Sequence, residues 1–437
     1  MTTATAPRIR RTPLSGGFTR LWTAAIASNL ADGIGRTAVP LIATTLTRDP
    51  ALIAGLTAVT FLPWLLFGIP AGMLLDRVDR RIAMAAANSL RFAVAALLAV
   101  LIASDSLTIW WLYACVLLFG LGETVFDNAT TTVVPSLVTQ DQLDRANGRM
   151  QSAEIVVQNF IATPVAGFLF AAAIVLPVWS TGSGFLIAGL LALTIPAAAA
   201  RGHRAGAAPD ATAPDASGLD GSGFDAPRPS FGHVVSFLVH HRFLRSMIIL
   251  TSITASALAF AQGSVVLLLL QTFSVPTALI GVVTAGVGVG ALAGALISSR
   301  LVERFGRGPI MFSSMLVSGV GILGVGVTGN LVFAIAAYAV GAFGVAVWNV
   351  PWGALRQAIV PSDMLGRAMG IVRTIGWGLT PIATVLGGFV ARIDLRLPFV
   401  IGGGAVVLLT LVAARLLLSA GSHEPARQLP QVPQLLQ

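Results

Sequence analysis

Apolar stretches too long for a soluble core helix recur from one end of this chain to the other, and no motif in it constrains the fold as tightly. About 20 residues of helix cross the ~30 Å hydrocarbon layer of a bilayer. Between charged or turn-forming breaks, the 437 residues hold twelve such stretches. They run approximately 18–46, 51–75, 82–103, 108–135, 149–175, 180–200, 245–272, 276–299, 309–329, 331–355, 368–391 and 397–418. Charged residues make up only 10%, against about 25% in a soluble domain. The pattern predicts an all-α membrane protein with twelve transmembrane helices. The first stretch is too long for a cleaved leader and carries Asp32 and Arg36 inside it, so it counts as a span.

The basic residues orient the chain. All 27 are Arg. With the N-terminus inside, 21 of them fall in inner loops, tails and the inner ends of spans, three (Arg48, Arg392, Arg396) in outer loops, and three (Arg36, Arg91, Arg373) deeper within spans. The positive-inside rule then predicts a multi-pass protein of the cell membrane with both termini cytoplasmic. The absence of Lys excludes a Walker A loop and Schiff-base chemistry. Cys115 is the single cysteine, which excludes a disulfide framework and a thiolate metal site. The five His (His203, His233, His240, His241, His423) all lie outside the apolar runs. No metal, cofactor or enzyme constellation is expected. The pI near 11 does not point to nucleic acid, because the Arg are dispersed between spans.

The two halves repeat. Leu74–Arg80 (LLDRVDR) aligns with Leu301–Arg307 (LVERFGR) at an offset of 227, and Val134-Pro135-Ser136 with Val360-Pro361-Ser362 at 226. Arg145-Ala-Asn-Gly148 matches Arg367-Ala-Met-Gly370, and Thr163-Pro164 before Gly167 matches Thr380-Pro381 before Gly387-Gly388. The expected organisation is an N-terminal tail (1–17), a six-helix bundle (18–200), a linker (201–240), a second six-helix bundle (241–420) and a C-terminal tail (421–437). The linker, rich in Ala, Asp, Gly, Pro and Ser and without apolar period, is expected to be disordered. Two pseudo-symmetric bundles imply a central cavity at their interface.

Over 18–418 the chain resembles the major facilitator superfamily. The carrying motif is Gly72-x-x-x-Asp76-Arg77-x-x-Arg80-Arg81, with a degenerate copy at Glu303 and Arg304. The resemblance implies a latch that joins the halves on the cytoplasmic side in the outward-facing state. The family usually has Gly where this chain has Asp79, a residue that tolerates a left-handed turn. Ser28–Gly33 (SNLADG), Leu143–Asn147 (LDRAN) and Thr163-Pro164-x-x-Gly167 resemble twelve-span drug–proton antiporters, a group that includes macrolide and siderophore exporters.

With no His or Lys in the membrane, a proton carrier has to be a carboxylate. Four acids lie within spans: Asp32, Glu123, Asp127 and Glu154, all in the first half. Each costs about 3 kcal/mol at bilayer depth unless paired, hydrated or protonated. Asp32 and Arg36 stand at i and i+4, either as an internal ion pair that helps span 1 insert or as a gated pair. Glu123 and Asp127 share that spacing with like charge and resist joint ionisation, which makes Glu123 the leading coupling candidate. Asp127 has a second reading as partner of the latch residues Arg77, Arg80 or Arg81. Glu154, one turn from Gln158, is read as a proton relay or as a salt bridge to Arg149 or Arg91. Arg91 needs a carboxylate, for which Glu123, Asp127 and Glu154 are candidates.

The second half offers no acids in its spans. Its candidates for the cavity wall are Gln262, Trp348, Asn349, Trp352 and Trp377, facing Asn29, Arg36, Phe61, Trp64 and Gln158 of the first. For the tryptophans an interfacial belt is the competing reading, and for Trp110 and Trp111 the default one. The glycine series at 286, 288, 290 and 294 reads as close helix packing, since no strand precedes it. The expected function is export of amphipathic small molecules by proton antiport with alternating access. The expected partners are a small-molecule substrate, protons and the lipid bilayer, with the protein as a monomer. A symporter importing a small metabolite, and a non-transporting receptor or scaffold, are the alternatives.

Overall fold

The computed structural model describes residues 14–75, 77–139, 142–197, 231–361 and 364–423, all helix and connecting turns. In the first lobe, α1 (Gly16–Leu46) is span 1, and α2 (Pro50–Val59) with α3 (Leu62–Leu75) is span 2, broken at Thr60-Phe61 ahead of Pro63. Spans 3 and 4 are α4 (Arg80–Ala103) and α5 (Ile109–Leu137). Span 5 joins α6 (Leu143–Ile155), a π-helical segment (Val156–Ala162) and α7 (Thr163–Ala172); span 6 is α8 (Leu176–Leu193). A short helix, α9 (Phe231–His240), precedes the second lobe. Span 7 is α10 (Arg242–Gln262) with α11 (Val265–Leu267) and a π segment (Leu268–Thr272). Spans 8, 9 and 10 are α12 (Thr277–Phe305), α13 (Arg307–Val327) and α14 (Leu331–Ile359). Span 11 is α15 (Leu365–Gly378) plus α16 (Thr380–Ala391), and span 12 is α17 (Leu397–Val412) plus α18 (Ala414–Leu418).

Among the described residues ten helical stretches are long and apolar enough to cross a bilayer, and an eleventh if bent span 12 counts as one. Span 1 completes a set of twelve. Its 31 residues reach about 46 Å at 1.5 Å per residue, and its polar face lowers its hydropathy. Large apolar side chains such as Leu296, Phe333 and Leu408 stand on the outside of the bundle, where lipid would cover them.

The repeat seen in the sequence is a repeat of packing. Span 6 lies against spans 1 and 3, span 3 against span 4, span 4 against span 2, and span 5 against span 1. Each contact has its counterpart six spans later: 12 on 7 and 9, 9 on 10, 10 on 8, and 11 on 7. The end of the bundle that carries Ser15, Pro196 and His241 is called inner here. There the Ser15 hydroxyl donates to the Leu137 carbonyl (2.6 Å) and Arg20 to that of Thr194 (2.8 Å), tying spans 1, 4 and 6 together.

One boundary differs from expectation. The stretch assigned to the linker ends in helix α9, because Val234 and Leu238 on one face find Phe243, Met364, Ala368 and Val372 to pack on. Residues 201–230, the rest of the predicted linker, lie outside the described residues.

Candidate functional site

The lobes meet chiefly through the outer halves of their helices. Span 2 packs on span 11 through α2 and α16, and span 5 on span 8 through α7 and α12. Glycine permits both approaches. A Cβ on Gly281 would stand 2.1 Å from the Thr163 carbonyl oxygen, and one on Gly388 2.5 Å from Ala54 Cβ. Leu41, Leu269, Val275 and Ile280 close the same end with an apolar cluster shared by both lobes. An ion pair seals the rim: Arg392 Nε donates to Asp49 Oδ1 (2.7 Å) while its Nη2 reaches Oδ2. Asp49 Oδ1 also accepts the Ala51 amide (2.9 Å), so one carboxylate caps α2 and joins the lobes. That hydrogen bond from Arg392 holds the Asp49 carboxyl below its ordinary value. At the inner end, spans 2 and 11 barely touch among the described residues. The cleft is thus closed outside and open inside.

Into that cleft span 1 sends its polar face. One side of span 1 is covered by span 6, where the Thr181 hydroxyl reaches the Ala31 carbonyl. Span 3 covers the next sector through a buried ion pair of Arg91 with Asp32. Arg91 is fully enclosed: its Nη1 donates to Ser28 Oγ (3.1 Å) and Asn88 Oδ1 (3.2 Å), and its head lies 3.8 Å from the Phe185 ring centre. Its stem crosses span 4 at Gly122, where a Cβ would come within 2.6 Å of Arg91 Cγ. Past span 3, Arg36 pairs with Glu123 of span 4. Toward span 5, Gln158 Nε2 donates to Asn29 Oδ1 (3.0 Å). Gln158 sits in the π segment, a device that re-aims side chains at functional sites.

The ion pairs therefore cross between helices. Asp32 and Arg36 do not pair with each other, although their spacing allows it: each finds a better-placed partner on a neighbouring span. Arg91 takes Asp32, which was not among the three carboxylates expected for it. Asp127, one turn inward of Glu123, has no hydrogen bond or ion pair among the described residues. It lies in the electrostatic field of Glu123, Arg91, Glu154 and Arg36. Glu154 interacts with Arg36 and Asp127 from span 5.

Among the described residues, the contacts of Arg80 and Arg81 stay within the first lobe. Asp79 is not a left-handed turn: at φ −67° it is extended and caps α4, accepting the Arg81 amide (3.0 Å) and pairing with Arg81 Nε (3.1 Å). Arg80 donates to the Thr132 carbonyl (3.3 Å). Gly72 and Arg77 have open space around them or are exposed, and Glu303 and Arg304 are exposed with Arg304 over Phe305. Asp76 lies outside the described residues.

Of the expected cavity wall in the second lobe, Gln262 and Asn349 are exposed and Trp348 is half-buried, its ring 6.4 Å from that of Trp352. Trp352 is a correction. It is buried in the inner core of the second lobe, in one apolar cluster with Met247, Leu250 and Leu355, where no cleft reaches it. The Trp377 side chain lies outside the described residues. Phe61 stands at the break in span 2 and Trp64 in the first turn of α3, both half-buried. Trp110 and Trp111 are exposed at the outer end of span 4, as an interfacial belt requires. Sequence reasoning missed Ser28, Asn88 and Phe185 around Arg91, for which it holds no signal. It also missed Asp49–Arg392, although Asp before Pro50 does signal a helix cap.

The profile of a family described as transmembrane secretion effector matches residues 10–433. Among curated proteins, an uncharacterised MFS-type transporter of Mycobacterium tuberculosis is 32% identical over 173 residues, 38% of this chain and 36% of that protein. Macrolide efflux protein A of Streptococcus pyogenes is 26% identical over 154 residues, 35% of this chain and 38% of that protein. The chain thus matches little more than a third of the length of these relatives. Among solved structures, a nucleoside transporter superposes with a TM-score of 0.71 at 12% identity, over 92% of this chain and all of that one. A bacterial homologue of the iron transporter ferroportin in an inward-facing state gives 0.68 at 16%, over 92% and 98%.

Proposed function

The chain belongs to the transmembrane secretion effector family of the major facilitator superfamily, and we propose that it is a proton-coupled exporter of amphipathic small molecules. The observation that carries this reading is the one-sided placement of charge. The polar face of span 1 and the acids Glu123, Asp127 and Glu154 form a cluster in the first lobe, opposite second-lobe spans whose one described acid, Glu303, stands exposed at the inner end of α12. The likeness to macrolide efflux proteins agrees with it.

In this reading the inner end faces the cytoplasm, in keeping with the Arg bias between loops. An amphipathic molecule enters the open cleft, resting on Phe61, Trp64, Trp348 and the amides Asn29, Gln158, Gln262 and Asn349. The carboxylates of Glu123 and Asp127, with Glu154, exchange protons with whichever side the cleft faces. Charge in the cleft is tolerated while it is hydrated and costly once the cleft closes, so protonation biases which closed intermediate forms. Rocking opens the outer rim and brings Asp76, Arg77, Arg80 and Arg81 toward the second lobe as a latch. One chain supplies both walls of the cleft, so the working unit is the monomer.

The test is transport by protein reconstituted in vesicles under an imposed proton gradient. Glu123→Gln and Asp127→Asn are expected to lower gradient-driven efflux at least tenfold while downhill exchange of substrate persists. Full gradient-driven efflux in both variants would sink the coupling assignment. Accumulation of substrate in the direction of the proton gradient would turn the reading into import by symport.

A further inference from the structure

The two guanidinium groups that serve span 1 differ in freedom. Arg91 is locked by Asp32, Ser28, Asn88 and Phe185 and has no exposed surface to speak of. Arg36 is the opposite. Its side chain is 56% exposed, its hydrogen bond among the described residues is to Glu123, and it lies in the field of two further carboxylates, Asp127 and Glu154. It stands on the sector of span 1 between spans 4 and 5, which opens into the cleft.

The charges make the next step. Arg91 cancels Asp32 inside the lobe. Beside Arg36, Glu123 and Asp127 set two carboxylates against one guanidinium, leaving a site that stays anionic unless it takes up a proton. An exposed guanidinium shared among three carboxylates is held by attraction and not by packing, so another cation can replace it one for one. A neutral molecule gains nothing by displacing it, and an anion is repelled once it has.

We propose that Arg36 is a tethered competitor: its guanidinium occupies the anionic site when the cleft is empty, and the cationic group of an amphipathic cargo displaces it. This rests on the export reading and adds the charge of the cargo to it. Arg36 is then a specificity-determining residue, setting how strongly a cation must bind before it is retained.

The experiment measures binding to the full chain in detergent at pH 8 by equilibrium dialysis. The probes are tetraphenylphosphonium, a permanent amphipathic cation, and triphenylphosphine oxide, a neutral relative. With the tether removed in Arg36→Gln, tetraphenylphosphonium is expected to bind about five- to tenfold more tightly, by release from competition between like charges. Triphenylphosphine oxide stays within about twofold, and Arg36→Lys, which keeps the cation, stays near wild type. A merely structural role would weaken both probes together. Unchanged or weaker cation binding in Arg36→Gln, or no cation binding by any form, overturns the proposal. Proton release is followed in the same samples, unbuffered, with a pH-sensitive dye. Tighter cation binding without proton release would leave Arg36 its role and remove the proton coupling.

Discussion

At matched positions, 227 residues apart, Asp79 and Gly306 carry the chain from an even-numbered span into the next odd one. Gly306 does so with a φ of 81°, a conformation open to glycine. Asp79 stays extended and uses its carboxylate as the cap of α4 and as a partner for Arg81. The contrast continues up the same helices. At the position matching buried Arg91, span 9 has Ser318, also buried but with no hydrogen-bond partner for its hydroxyl among the described residues. Where Arg91 threads past Gly122 to reach Asp32, Ser318 lies against the backbone at Gly344, where a Cβ would be 2.7 Å from its amide nitrogen. One packing plan thus carries two ways of joining helices. The first lobe uses charge and hydrogen bonds, and the second uses close approach of backbones. A lobe that must handle ions in a cleft needs polar groups held at set positions, while its partner has only to present a rigid wall.

The largest effect is expected from breaking the charge in the first lobe. Arg91→Met leaves Asp32 buried and unpaired, at a cost of about 3–5 kcal/mol, read by unfolding in detergent. Adding Asp32→Asn should recover most of that loss, and Ser318→Ala at the matching position should change stability by less than about 1 kcal/mol. If the Arg91 variant is as stable as Ser318→Ala, the contrast between lobes is wrong. Next comes the backbone contact of the second lobe. Gly321→Val puts side-chain atoms where Gly341 nitrogen is 2.4 Å from an added Cβ, and overpacking of this kind costs about 1–3 kcal/mol.

A smaller effect, on conformation more than stability, is expected at the outer contact. Gly281→Ala should shift the population toward an outer-open state, seen as a longer distance between spin labels at the outer ends of spans 5 and 8. The same distance distribution as wild type would mean that this close approach does not hold the gate. The smallest effect concerns the rim. Asp49 is ionised and paired above its ordinary range, and because Arg392 holds its carboxyl low, the contribution is lost only as pH falls through that lowered value. Outer accessibility, measured by collision of a spin label near Gln271 with a water-soluble relaxation agent, should therefore stay flat from about pH 8 to pH 5 and rise below about pH 4. In Asp49→Asn it should be raised across the whole range. A wild-type profile already rising near pH 6 would rule out this pair as the group responsible.

Much of the fold is legible in the residues because each span must satisfy its own backbone in lipid. Apolar length marks the helices, the LLDRVDR and LVERFGR pair marks the repeat, and the small residues at 290 and 294 mark close packing, seen against Ala339 and Phe343. The four acids are equally plain, since a carboxylate in an apolar run stands out. Their partners are not. Spacing at i and i+4 shows which side chains can meet on one helix, yet Asp32 and Arg36 bond to different neighbours and Asp127 is left with neither kind of bond. Trp352 shows the same limit, because an aromatic on a helix looks alike whether it faces a cleft or another helix.

By itself, then, the sequence determined that this is a bundle of membrane helices built twice over, with its costly acids confined to one copy. Those properties follow from transfer between water and lipid, which acts on each segment separately. Only the tertiary structure decided which guanidinium is locked by packing and which is held by one ion pair at an exposed position, that Asp49 meets Arg392 across 343 positions of chain, and that the cleft opens at the inner end. Those outcomes depend on how helices lean on one another, and a short-range force such as an ion pair is settled by the last few ångströms of that arrangement.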